Sequence, residues 1–140
     1  MKRMTIFMIM VFIIGACAAR VPLTQEQRDF AGRANNYPTS FTLPNEQAEE
    51  AWGRAQVFIA TYSNMKLQIA TQYVLQTFNP VGNWPRYGYN VTRMQSAGET
   101  QFAVQCMCSN MFNGKQAQQN ASMLSYYMVT GELEPRFIYK

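Results

Sequence analysis

The most regular pattern in the chain begins at Asn45. Ala48, Ala51, Trp52, Ala55, Phe58, Ile59 and Tyr62 recur at intervals of three and four, one apolar stripe of an amphipathic helix. Asn45 stands where an N-cap belongs, and Glu46, Glu49 and Glu50 fill the early turns, where a helix N-terminus favours carboxylates. The helix should end near Ser63-Asn64. The period then changes to two. Leu67, Ile69, Thr71, Tyr73 and Leu75 alternate with Gln68, Ala70, Gln72, Val74 and Gln76, the pattern of one half-buried strand. "NPVGNWPR" (79–86) interrupts it with two prolines and a glycine. Beyond that loop Tyr87, Tyr89 and Val91 face one side, and Gly88, Asn90 and Thr92 the other. After "SAGE" (96–99), Phe102, Val104, Cys106 and Cys108 point inward while Gln101, Ala103, Gln105 and Met107 point out. So short a link predicts an antiparallel hairpin.

Asn113-Gly114 closes this region, and Ala117, Ala121, Leu124 and Met128, widened by Tyr127, mark a second helix. Gly131 suits the C′ position, and Pro135 forbids continuation. The tail "RFIYK" either adds a strand or packs. Upstream, Thr24-x-x-Gln27 forms a capping box that opens a short helix to about Ala34, with Phe30 placed to rest on the domain. "NNYPTSFTLPN" (35–45) has two prolines and no period, and reads as extended chain. The expected fold is a single small α+β domain of order α-β-β-β-α: a three-stranded antiparallel sheet with two helices packed on one face.

The first residues follow a different rule. Lys2 and Arg3 precede Met4–Ile14, a run apolar except for Thr5. These eleven residues would reach about 16 Å as a helix, whereas a bilayer core is ~30 Å thick. Positive start, short apolar core and small residues after it describe a secretory signal peptide. Ile14-Gly15-Ala16-Cys17 resembles the lipobox of bacterial lipoproteins, a likeness that covers roughly the first 20 residues. It implies that Cys17 receives a diacylglyceryl group and that cleavage follows Ala16. Two or three acyl chains hold a protein stably at a membrane, where one binds only marginally. Ala18, in place of an aspartate after the cysteine, implies by the rule of that family an outer-membrane location facing the periplasm. The alternatives are an ordinary signal peptide with a chance cysteine and a signal anchor that is never cut. The expected organisation is signal peptide 1–16, lipidated N-terminus and tether 17–44, and globular domain 45–140.

Composition narrows the chemistry. Twelve bases face eight acids; without Lys2 and Arg3 the balance falls to ten against eight, about +2. No Lys/Arg cluster remains, so the electrostatic footprint of a nucleic-acid binder is missing. There is no histidine, and Asp29 is the lone aspartate. Triads and paired-aspartate sites therefore lack parts, and the commonest zinc ligand is absent. Glu49 and Glu50 diverge by about 100° on a helix. The expectation is no enzyme, no cofactor and no metal.

Three features could carry function. Cys106 and Cys108 share a strand face with Cα atoms about 6.5–7 Å apart, wider than the ~5.5–6 Å that disulfides prefer. A redox or soft-metal pair, a strained or intermolecular disulfide, and two buried core thiols are the readings; the last is preferred because free cysteine is commonly buried. Trp84, Arg86 and Tyr87 on the 79–89 loop could stack on a sugar or peptide ring, or simply close the sheet's end. The outward row with Gln72 and Gln105 offers a flat uncharged surface that Lys and Glu guard only sparingly. The leading expectation is a non-catalytic, lipid-anchored envelope protein acting as an interaction or accessory subunit. The alternative is a periplasmic binding module for a cell-wall glycan or small hydrophobic ligand.

Overall fold

A computed structural model describes residues 22–140; the segment expected as a signal peptide (1–16) and Cys17 lie outside the described residues. Helix α1 (Gln25–Asn35) opens on the predicted capping box: the Thr24 hydroxyl accepts from the Gln27 N–H, and the Gln27 side chain returns to the Thr24 N–H at 3.0 Å. Strand β1 (Ser40–Pro44) leads directly into helix α2 (Asn45–Tyr62). Next come β2 (Leu67–Ala70), β3 (Val74–Thr77), β4 (Tyr87–Gln95) and β5 (Glu99–Cys108). A short 3₁₀ turn at Met111–Asn113 then precedes helix α3 (Gly114–Thr130). All strand pairings are antiparallel, in the spatial order β1-β5-β4-β3-β2.

The fold is thus a small α+β domain, but the expected three-stranded sheet with two helices is corrected to five strands and, among the described residues, three α-helices. Two local causes account for the difference. First, Thr71 breaks the expected long strand. Its hydroxyl accepts from the N–H groups of Tyr73 (3.2 Å) and Val74 (3.0 Å), while its own N–H donates to the Val74 carbonyl (2.9 Å). The threonine closes a turn and folds β2 back on β3. Second, residues 40–44 pair with β5, Ser40 opposite Ala103 and Pro44 opposite Glu99. A proline is tolerated there because β1 is an edge strand.

The stretch expected as tether therefore builds part of the core. Ala34 is fully buried, Phe30 meets Tyr126 edge-on at 5.6 Å, and Phe41 stacks on Phe102 at 5.3 Å. The inner-face assignments of β4 and β5 hold: Tyr87, Tyr89, Val91, Phe102 and Val104 are buried against the helices. Helix α3 is buried more widely than its expected stripe, since Met123 and Tyr126 join Ala117, Ala121, Leu124 and Met128. The reason is that α3 packs against β5, α2 and also α1. Gly131 ends it with φ +76°, a conformation costly for residues with a Cβ. The tail packs rather than pairing as a strand: Asn120 donates to the Tyr139 carbonyl (2.8 Å) and accepts from its N–H (2.9 Å).

Asn45 is the first helical residue of α2 and makes no capping bond of its own. Instead it joins the helix to the β4–β5 turn, accepting from the Thr100 hydroxyl (2.7 Å) and donating to the Ser96 carbonyl (3.1 Å).

Candidate functional site

The helices lie on one side of the sheet, and cross-strand register defines what the other side presents. Val74, Thr92, Ala103 and Ser40 form one row across four strands; Gln76, Asn90 and Gln105 form the next. A third row runs Met94, Gln101 and Thr42. None of these side chains is charged. A shallow hollow of about 280 Å³ opens among Thr92, Met94, Gln101 and Ala103. The Asn90 amide oxygen is buried in this face without a hydrogen-bond partner among the described residues.

Gln105 is exposed on this face as expected. Gln72 is not on it. It sits in the Thr71–Tyr73 turn, and its carbonyl accepts from Arg93 Nε. Arg93 belongs to the helix side, 4.7 Å over the Trp52 ring and donating to Glu49 at 2.8 Å. The turn that splits β2 from β3 thus removes Gln72 from the surface to which simple alternation assigned it.

The loop candidates separate as well. Trp84 is 80 % exposed and Arg86 is exposed, but Tyr87 is buried among the helices. The three do not share one recognition surface, so a sugar ring would find one indole and no second ring from Tyr87. Val81, Met111 and Phe112 stand exposed beside Trp84's loop, and sequence reasoning missed them. The available signal was "SNMFNG", two large apolar residues in a turn-rich stretch with no partner at helical or strand spacing.

Cys106 and Cys108 are free and half-buried, opposite Tyr89 and Tyr87 respectively. Burial pushes the Cys106 thiol up to about 12, and burial followed by the neighbouring Cys108 sulfur pushes Tyr87 up to about 12. Burial also raises Tyr89, with Cys106 alongside. A reactive or metal-binding thiol needs its pKa lowered, so Cys106 is poorly suited to redox chemistry at neutral pH. The Tyr89 hydroxyl is buried with no hydrogen-bond partner among the described residues. An unsatisfied buried hydroxyl costs about 1–3 kcal/mol. Tyr89→Phe is accordingly expected to stabilise the domain by about 1 kcal/mol, read as a higher urea midpoint at unchanged slope. A lower midpoint would mean the hydroxyl is hydrogen-bonded after all.

A larger hollow of about 580 Å³ lies between α1 and residues 132–134, where Arg33 donates to the Tyr126 hydroxyl (3.3 Å) and approaches Glu132 at 3.9 Å. Both ion-pair side chains are mostly exposed, so the pair contributes little. No protein-family model, curated protein or solved structure matches the chain.

Proposed function

We propose that the chain is a lipid-anchored, non-catalytic protein of the bacterial cell envelope, held at Cys17 and facing the periplasm from the outer membrane. In this reading its open sheet face receives a protein partner. The observation that carries the reading is the one-sided sheet: five antiparallel strands have helices on one face and uncharged rows on the other. Antiparallel sheets tolerate water on one side when that side is polar. Here Ala103 and Met94 interrupt a glutamine and threonine surface, giving apolar contact and hydrogen-bonding groups together. The raised Cys106 thiol and the absence of histidine from the sequence weigh against catalysis.

Crosslinked co-purification from native envelopes tests this role. Wild-type protein should recover a defined envelope protein, and Ala103→Glu and Gln105→Lys should each reduce recovery about tenfold or more, since a charge desolvated without a partner costs several kcal/mol. Both positions are exposed, so the thermal melt should not move. Equal recovery from wild type and both variants would remove the sheet face from consideration. Metabolic palmitate labelling, lost in Cys17→Ser, tests the anchor separately.

A further inference from the structure

The sheet end where β4 begins and β5 finishes is built from two loops stitched together. The Ser109 hydroxyl donates to the Trp84 carbonyl (2.6 Å), and the Ser109 N–H to the Arg86 carbonyl (3.2 Å). Val81 and Trp84 project from the first loop, 69 % and 80 % exposed; Met111 and Phe112 project from the second, 86 % and 85 % exposed. Among the described residues, Met111, Phe112 and Trp84 are the most exposed large apolar side chains, and all three sit here.

The charged residues of the segments that build this end have one sign. Arg86 and Lys115 flank the two loops in sequence. Lys66 is held at this end because its carbonyl accepts from the Phe78 N–H (2.9 Å). Residues 62–66, 78–86 and 109–115 contain no acidic side chain. The carboxylates of Glu46, Glu49 and Glu99 lie at the opposite end, where Asn45 joins the start of α2 to the β4–β5 turn.

We propose that this end inserts into the surface of an anionic phospholipid bilayer, Trp84, Phe112, Met111 and Val81 entering the interfacial layer while Lys66, Arg86 and Lys115 meet the headgroups. Indole favours the boundary between headgroup and acyl chain, and apolar side chains ringed by bases are the chemistry by which peripheral proteins hold to such surfaces. Charge complementarity selects lipid over an uncharged partner. Mounting the apolar groups on loop tips suits a deformable surface better than a shaped protein pocket. The inference is independent of the sheet-face role, because the two surfaces use different residues.

Trp84 reports on it directly, since Trp52 is only 4 % exposed and the chain has two tryptophans. The purified full chain is mixed with phosphatidylcholine–phosphatidylglycerol vesicles, and the emission of Trp84→Phe is subtracted. Trp84 emission should shift to the blue and be quenched by brominated lipid. Phe112→Asp and the pair Arg86→Glu with Lys115→Glu should each reduce that quenching several-fold without changing the melt. Ala103→Glu should leave it intact. An emission that stays water-like and equally open to acrylamide with and without vesicles overturns the proposal. So does equal quenching on phosphatidylcholine alone, or protection of Trp84 that appears only on adding an envelope protein or a cell-wall glycan.

Discussion

Raising the pH through 9 towards 12 is expected to unfold the domain, because the groups between β4, β5 and α3 must stay protonated while buried. The Cys106 thiol, ordinarily near 9.0, is pushed up to about 12, and the Tyr87 phenol, ordinarily near 10.0, also to about 12. Tyr89 is raised in the same direction by burial. In the unfolded chain these groups release their protons first, so the unfolded state binds fewer protons in this window and stability falls as pH rises. The contribution is fully present below about pH 9 and is lost progressively up to about pH 12. At about 1.4 kcal/mol per pKa unit, the raised groups together contribute several kcal/mol, a large part of a small domain's stability. Urea melts at successive alkaline pH values check the slope, with tyrosinate absorbance followed in parallel. Cys106→Ala and Tyr89→Phe should each flatten the pH dependence. Titration of all eight tyrosines at ordinary tyrosine pH while the fold persists would show that Tyr87 and Tyr89 are accessible, contrary to their burial.

The elements readable in the sequence are those whose period persists. Helix α2 keeps its apolar stripe from Ala48 to Tyr62 in a single register, and its buried residues include Trp52, Phe58 and Ile59. Strands β4 and β5 span nine and ten residues, β5 alternating exposed and buried from Glu99 to Gln105, and their pairing runs from Tyr87 opposite Cys108 to Gln95 opposite Thr100. Strand β1 has five residues ending in a proline, which local pattern cannot tell from extended coil. Phe41 and Leu43 do alternate, but their inward direction is defined only by β5, some sixty positions away in sequence. The Thr71 turn was hidden for a different reason. Threonine also favours strands, so its hydroxyl could close a hairpin without disturbing the alternation on either side. The same limit separates the candidate surfaces. Gln105 lies on a persistent strand and is where alternation put it, whereas Gln72 follows the hidden turn and is not. Trp84 was conspicuous in a proline-bounded loop, but its neighbourhood with Met111 and Phe112 is set by the pairing of Tyr87 with Cys108 and by the Ser109 bonds, neither of which local pattern shows.

Phe102→Ala is expected to cost about 3–5 kcal/mol, enough to leave the domain largely unfolded at moderate temperature. Phe102 is fully buried, stacks on Phe41 with an interplanar angle of 19°, and lies 6.5 Å from the Trp52 ring centre. One aromatic side chain thus joins the edge strand, the sheet and α2. Its truncation opens a cavity that three elements would have to collapse together, which favours the upper part of the range. The more discriminating substitution is Phe41→Ala. If residues 22–44 only tethered the domain, this change would move a denaturant midpoint by less than about 0.5 kcal/mol equivalent. With β1 paired to β5, a partly buried ring should cost about 1–2 kcal/mol. The double-mutant cycle with Phe102→Ala should return a coupling of about 0.5–1.5 kcal/mol for the stacked pair. Zero coupling would detach β1 from the core. It would also bring back an open β5 edge, and with it a sheet whose outer face lacks the positions that Ser40 and Thr42 add to two of its rows.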